Sequence, residues 1–183
     1  MSTARLIKKP ITFRTMGKIL SGSEEAPMEI PDYQRTYSWG SDEIDDFISD
    51  LLELKKLRDD GERRTHFLGG IVAYEEETEV NFPQKIHYIV DGQQRLVTLQ
   101  IALALIWQEY EELLKRFTRL SNTEYEKRTI KKIETIKSFF EYSFTDTLGD
   151  EHSVPILTAS SIDHPVLEKV FRNEDKPQDG YKQ

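Results

Sequence analysis

The 183-residue chain contains no cysteine, which excludes disulfides, thiolate-ligated zinc, iron–sulfur clusters and any thiol nucleophile. Its longest apolar run, residues 96–107, is 12 residues long and is interrupted by Gln100. A bilayer span needs about 20 such residues, so this run reads as a core helix. Residues 1–20 carry Arg5, Lys8, Lys9, Arg14 and Lys18 and hold no apolar stretch of the kind a secretion signal needs. Basic residues are the minority: 25 Lys plus Arg against 33 Asp plus Glu give a formal net charge of −8. A domain that coats nucleic acid by neutralising phosphates is usually basic, so such a role is disfavoured, although a local basic groove is not. The signatures of several enzyme classes are also missing. The Gly17-Lys18 pair is followed by Ile19 and lacks the preceding glycine of a P-loop, and His66, His87, His152 and His164 have no metal-ligand spacing. Together these features point to a cytoplasmic protein without a membrane partner.

At 37% apolar and 32% charged residues, the chain can fold around a core under a highly charged surface. Apolar residues at 44, 47, 48, 51, 54 and 57 recur at helical spacing behind Ser41, a suitable N-cap, and predict a helix over 42–58. Residues 67–75 and 86–90 read as two strands of an antiparallel hairpin, with Asn81 and Pro83 in its loop. Helices are expected over 96–117 and 123–142, the second with a stripe of Tyr125, Ile130, Ile133, Ile136 and Phe140 opposite a solvated face of lysine, arginine and glutamate. Short strands are expected at 28–31 and 154–158, and a helix over 165–171 behind Asp163. The fold class is α/β (α+β): a small mixed or antiparallel sheet packed with several helices. The expected division is a core over 1–120 and a helical extension over 121–183 that begins a longer helical region.

The most informative segment is Asp91-Gly92-Gln93-Gln94-Arg95, where a strand ends, a glycine turns the chain and a helix starts. A helix N-terminus presents unpaired N–H groups and a partial positive charge, and so attracts anions. Gly92 permits close backbone approach, and Arg95 offers a planar cationic fork for phosphate oxygens. Asp91 can receive a ligand hydroxyl or hold Mg²⁺ through water. Alternatively, the segment is a polar helix start with Asp91 as cap and Arg95 in an ion pair. A second cluster, Ile30-Pro31-Asp32-Tyr33-Gln34-Arg35-Thr36-Tyr37-Ser38-Trp39, concentrates aromatics and an arginine before the first long helix. Tyr37 and Trp39 read as anchors to the core, and Gln34 and Arg35 as ligand-facing. A third piece, His66-Phe67-Leu68-Gly69-Gly70, marks either a bulge or a close backbone approach.

Taken in order, Ile-Pro-x-Tyr-Gln-Arg-x-Tyr-x-Trp, Phe-Leu-Gly and Ile-Val-Asp-Gly-Gln-Gln-Arg-Leu resemble the N-terminal domain of GmrSD-type modification-dependent restriction endonucleases. That domain is often called the DGQQR family and is placed in the ParB/sulfiredoxin-like superfamily. The likeness runs from about residue 30 to residue 105, and more loosely over 154–171. It implies a ParB/sulfiredoxin-like core with a nucleotide pocket, in which nucleoside triphosphate hydrolysis licenses DNA cleavage in phage defence. By motif, Asp91, Gln93, Gln94 and Arg95 would be catalytic. Gly92, Arg95, Gln34, Arg35 and Tyr33 would bind the nucleotide, GTP or another NTP, with Mg²⁺, the last three residues either in nucleotide contact or in sensing modified DNA. The implied partners are the triphosphate, DNA that can be modified, and a C-terminal nuclease domain or subunit. The missing cysteine excludes thiol reduction, and the missing His-Asn-His motif argues against DNA cleavage by this chain alone. Two further readings are a non-enzymatic module for nucleotide or modified DNA and a direct nuclease. If the two arginine-bearing motifs form one site, Arg35 and Arg95 must face a shared cleft.

Overall fold

A computed structural model describes residues 12–21, 26–78, 83 and 85–172. Among these, the elements in chain order are α1 (Met16–Leu20), β1 (Met28–Glu29), α2 (Ser41–Asp59), β2 (Val72–Glu77), β3 (Lys85–Asp91), α3 (Gln93–Arg119), α4 (Thr123–Lys137), β4 (Glu141–Thr145), β5 (Glu151–Pro155), β6 (Leu157–Thr158) and α5 (His164–Arg172). The central sheet has the order β2-β3-β1-β6, and β4 and β5 form a separate antiparallel pair. In the central sheet β2 is antiparallel to β3, while β1 runs parallel to both β3 and β6. The result is a mixed α+β domain, as the sequence predicts.

Strand alternation sorts the central sheet into two faces. Met28, Ile89 and Ala73 point inward, where Met28 and Ile89 join Leu20, Ile30, Leu96, Val97, Ile156, Ala159 and Leu167 in the core cluster. Ile89, Leu96 and Ile156 are fully buried. Burial of each such side chain contributes about 1.5–3 kcal/mol, so β3 and the start of α3 are fixed at the place where the candidate motif lies. Helix α3 packs on α4 and α5. Gln108 on α3 donates to the Val170 carbonyl of α5 at 2.6 Å, and Gln100 donates to the Phe139 carbonyl at 3.0 Å.

Several boundaries differ from expectation. Helix α2 is capped from Gly40, whose N–H donates to Glu43 Oε2 at 2.9 Å, so Ser41 is the first helical residue rather than the cap. The first hairpin strand begins at Val72 and not at residue 67. Gly69 takes φ +94°, which breaks the extended path, and the pairing shifts register between Val72 and Ala73. The helix expected to reach residue 142 stops at Lys137. The Phe139 carbonyl is taken by Gln100 and the Phe140 carbonyl by the Ile156 N–H at 2.8 Å, and the alternating run from Glu141 becomes β4. On α4 the buried positions are Thr129, Ile133 and Ile136, while Tyr125 and Ile130 of the expected stripe are exposed. The strand expected over 154–158 is two strands separated at Ile156. Residues after 120 therefore supply β4, β5 and β6 as well as helices, and β6 pairs with β1 in the central sheet. Asp163 turns its carboxylate away from α5, accepting from the Tyr37 N–H at 2.9 Å and from Ser160 Oγ at 3.2 Å. Asn81 and the polar tail from residue 173 lie outside the described residues.

Candidate functional site

Strand β3 delivers Asp91 to the surface, and Gly92 turns the chain directly into α3 with φ +94°. A Cβ at Gly92 would lie 3.0 Å from the Gly70 carbonyl oxygen and 3.1 Å from the Ile71 side chain, so both conformation and space require glycine. Gly92 is the N-cap of α3 and has no side chain with which to cap it. The leading N–H groups of this 27-residue helix lack intrahelical partners, and its first turn holds no acidic residue. Asp91 is thus not the cap. It is exposed, with its carboxylate 4.0 Å from the Arg95 guanidinium.

The 31–40 loop lies across this helix start and is stitched to it. The Gln34 N–H closes a turn on the Pro31 carbonyl at 3.0 Å, and Gln34 Nε2 donates to the Val90 carbonyl at 3.3 Å. Gln93 Nε2 donates to the Arg35 carbonyl at 3.1 Å. Gln94 holds the loop with both ends of its amide: Nε2 donates to the Thr36 carbonyl at 3.1 Å, and Oε1 accepts from the Ser38 N–H at 2.9 Å. The Tyr37 hydroxyl meets Thr98 Oγ1 at 2.9 Å, and Trp39 packs on Phe47 with ring centroids 6.0 Å apart. On its far side the loop is tied to the turn before α5 through Asp163 and through Asp32, whose carboxylate accepts from the Ser161 N–H at 2.7 Å. That N–H holds the Asp32 carboxyl below its ordinary value.

Between loop and helix lies a cleft of about 430 Å³, within the range of small-molecule sites. Arg35 and Arg95 both line it, together with Gln34, Trp39, Val90 and the Asp91–Gln94 segment. The two arginine-bearing motifs therefore line one cleft rather than opposite faces of the domain. The lining carries two cations and one carboxylate, a local excess of positive charge on a chain of net charge −8. The Arg35 side chain is exposed and makes no hydrogen bond or ion pair within the described residues. Arg95 is held: Nη2 donates to the Gly70 carbonyl at 2.6 Å, while its buried Nε has no partner. Gln93 Oε1 is likewise buried without a partner. A buried polar atom without a partner costs about 1–3 kcal/mol, and a polar ligand in the cleft is one way to recover it.

The Gly69-Gly70 pair is a close approach to the Arg95 side chain. A Cβ at Gly69 would stand 3.1 Å from Arg95 Cζ and 3.2 Å from its Nε. Sequence reasoning marked the glycines but not their partner, because nothing local in the sequence connects residue 69 with residue 95. It also passed over Thr98 and Ser161, and it read Asp163 only as a helix cap, although all three hold the loop. Tyr33 does not line the cleft. It is exposed beside Tyr74, whose hydroxyl is pushed up to about 12, first by hydrogen bonding with Tyr33 and then by burial.

These features define a small α+β domain with an anion-attracting cleft at a strand–glycine–helix junction. The family described as GmrSD restriction endonuclease, N-terminal domain, matches residues 16–178, and the chain belongs to it. Membership implies a role in a restriction or defence protein. No curated protein matches the chain. Among the described residues, no helix is long and apolar enough to cross a membrane, and no group of three or more His, Asp or Glu side chains is arranged to hold a metal ion.

Proposed function

We propose that the cleft binds a nucleoside triphosphate and hydrolyses it, and that this domain regulates DNA cleavage by a nuclease domain or subunit of a modification-dependent restriction system. The observation that carries the reading is the convergence of Arg35, Arg95 and the uncapped start of α3 on one cleft. Two like charges face a common space stably when an anion lies between them or acids flank them, and Asp91 offsets only one of the two. Phosphate oxygens suit both guanidinium forks and the helix N–H groups.

Hydrolysis adds water across the bond between the β and γ phosphates and releases the nucleoside diphosphate, inorganic phosphate and a proton. The protein must position the water and offset charge on the γ-phosphoryl group. Arg35 and Arg95 suit the second duty. Of the two glutamines, Gln93 suits the first, because its Oε1 is uncommitted whereas both ends of Gln94 are engaged. Asp91 is the one carboxylate lining the cleft among the described residues, which fits Mg²⁺ held mainly by phosphate oxygens and water. When bound, Mg²⁺ would neutralise phosphate charge.

Calorimetric titration of the chain with each triphosphate, with and without Mg²⁺, tests binding, and phosphate release tests turnover. Arg95→Ala should weaken affinity by about 10- to 150-fold, the loss of a charge-assisted bond worth about 1.5–3 kcal/mol. Unchanged affinity in a folded variant would leave Arg95 with its Gly70 contact alone. Binding without phosphate release would favour a sensing module over a hydrolase.

A further inference from the structure

The outer face of the central sheet is continuous with the cleft and unusually aromatic. Glu29 and Tyr88 are paired across β1 and β3, and Tyr74 and Tyr88 across β2 and β3, so all three share the face opposite the buried Ile89. Tyr74 and Tyr88 stack with centroids 5.2 Å apart and ring planes 22° from parallel. Val90 lies two residues beyond Tyr88 on β3 and is exposed, as is Tyr74. Val90 also lines the cleft, and its carbonyl accepts from Gln34. Tyr33, 70% exposed, directly precedes Gln34 and brings its ring beside Tyr74.

We propose that this tyrosine ledge, Tyr33 with Tyr74 backed by Tyr88, is the seat of the nucleobase of the nucleotide whose phosphates occupy the cleft. The inference rests on the triphosphate reading above. Distance supports it: Tyr33 and Arg35 are two residues apart, at most about 7 Å along the chain. Tyr88 is three residues, about 10 Å, from Asp91 along β3. Both spacings are within the reach of one nucleotide. Charge decides which end of the ligand goes where. Glu29, Asp32 and Glu76 surround the ledge: burial and Asp32 raise the Glu29 carboxyl, and burial with Glu29 and Glu76 raises the Tyr88 hydroxyl. Such a setting repels phosphate. It accepts a neutral base, whose π face stacks on tyrosine and whose N–H edges suit carboxylates.

The test compares the four nucleoside triphosphates with inorganic tripolyphosphate, which has the phosphates and no base. Tyr33→Ala should weaken nucleoside triphosphate binding by about 5-fold or more. It should leave tripolyphosphate binding unchanged, and Tyr33→Phe should bind nucleotides like the parent. Because Tyr33 is largely exposed, loss of fold does not cloud the comparison, and a thermal melt verifies this. Equal losses for both probes, no loss for either, or a parent chain that binds tripolyphosphate as tightly as any nucleotide would overturn the ledge while leaving the cleft reading intact. A parent that binds neither probe would overturn both. A variant that loses single-stranded oligonucleotide binding while keeping nucleotide affinity would assign the ledge to DNA and refute the proposal.

Discussion

The adjacent glutamines at the start of α3 should behave very differently on truncation. Gln94 is 6% exposed and Gln93 is 7% exposed, so burial does not distinguish them. Bonding does. Gln94→Ala removes two hydrogen bonds and strands the Thr36 carbonyl and the Ser38 N–H. Each stranded group costs about 1–3 kcal/mol where water cannot reach it. The loop is partly open to solvent and can relax, so the expected total is about 2–4 kcal/mol. For a chain of this length that lowers the Tm by roughly 5–15 °C. Gln93→Ala removes one bond, to the Arg35 carbonyl, and at the same time removes the buried, unpartnered Oε1. The two changes oppose each other, and the net loss should stay below about 1 kcal/mol. Urea unfolding measures both variants, with a shift in midpoint at constant slope reporting stability. Hydrogen exchange at the Ser38 amide gives a local readout, since Gln94→Ala should free it and Gln93→Ala should not. Equal midpoints, a less stable Gln93 variant, or an unchanged Ser38 exchange rate would refute the clamp.

Three other outcomes follow from the same geometry. Arg35→Ala should leave stability within about 0.5 kcal/mol, because the exposed side chain has no partner within the described residues, while triphosphate affinity falls about 10-fold or more; a shifted unfolding midpoint would expose an unrecognised structural role. Gly69→Ala should lower both stability and triphosphate affinity, since a side chain at φ +94° costs about 1–2 kcal/mol and the new Cβ meets the Arg95 guanidinium. Gly70→Ala, with open space at its Cβ position, is the near-neutral control that unfolding and titration should separate from it. Asp32 and Asp146 are held below their ordinary value of 3.8, Asp32 by the Ser161 N–H and Asp146 first by His152 and then by the Asp150 and Leu148 N–H groups. Because the folded pKa is the lower one, their stabilisation is full above the unfolded pKa and is lost as pH falls through the folded value. Asp32→Asn and Asp146→Asn should flatten the acid limb of a Tm–pH curve below about pH 4, and a limb as steep as the parent's would refute the assignment.

How far the sequence could be read depended on how local the cause was. The path from β3 through Gly92 into α3 was legible, because strand, glycine and apolar helix follow one another directly. The long helices were legible from periodicity, apart from their ends. Where the chain answers to distant partners, local pattern misled. Residues 138–142 continue a helical pattern, yet Gln100 and Ile156 take the backbone carbonyls there and turn the chain into β4. Asp163 sits where a cap belongs, but the Tyr37 N–H, 126 residues away in sequence, claims its carboxylate. The same limit applies to the site. Gln93 and Gln94 are alike as letters, and only the 31–40 loop above them makes one a clamp and leaves the other with a free acceptor.

Net charge and site charge also have to be reasoned about on different length scales. A chain of −8 repels polyanions over the Debye length, about 8 Å at physiological ionic strength. That argues against broad contact with a phosphate backbone, which would spread over many such lengths. It has little force inside the cleft, which Arg35, Arg95 and the start of α3 line together and where Asp91 is the only lining carboxylate among the described residues. There the short-range terms win, because Coulomb energy at about 4 Å is several-fold stronger near a protein surface than in bulk water. An acidic surface around a small cationic cleft therefore selects for a compact anion over an extended one. This supports the proposed reading of a free triphosphate, rather than a nucleic-acid backbone, as the occupant of the cleft.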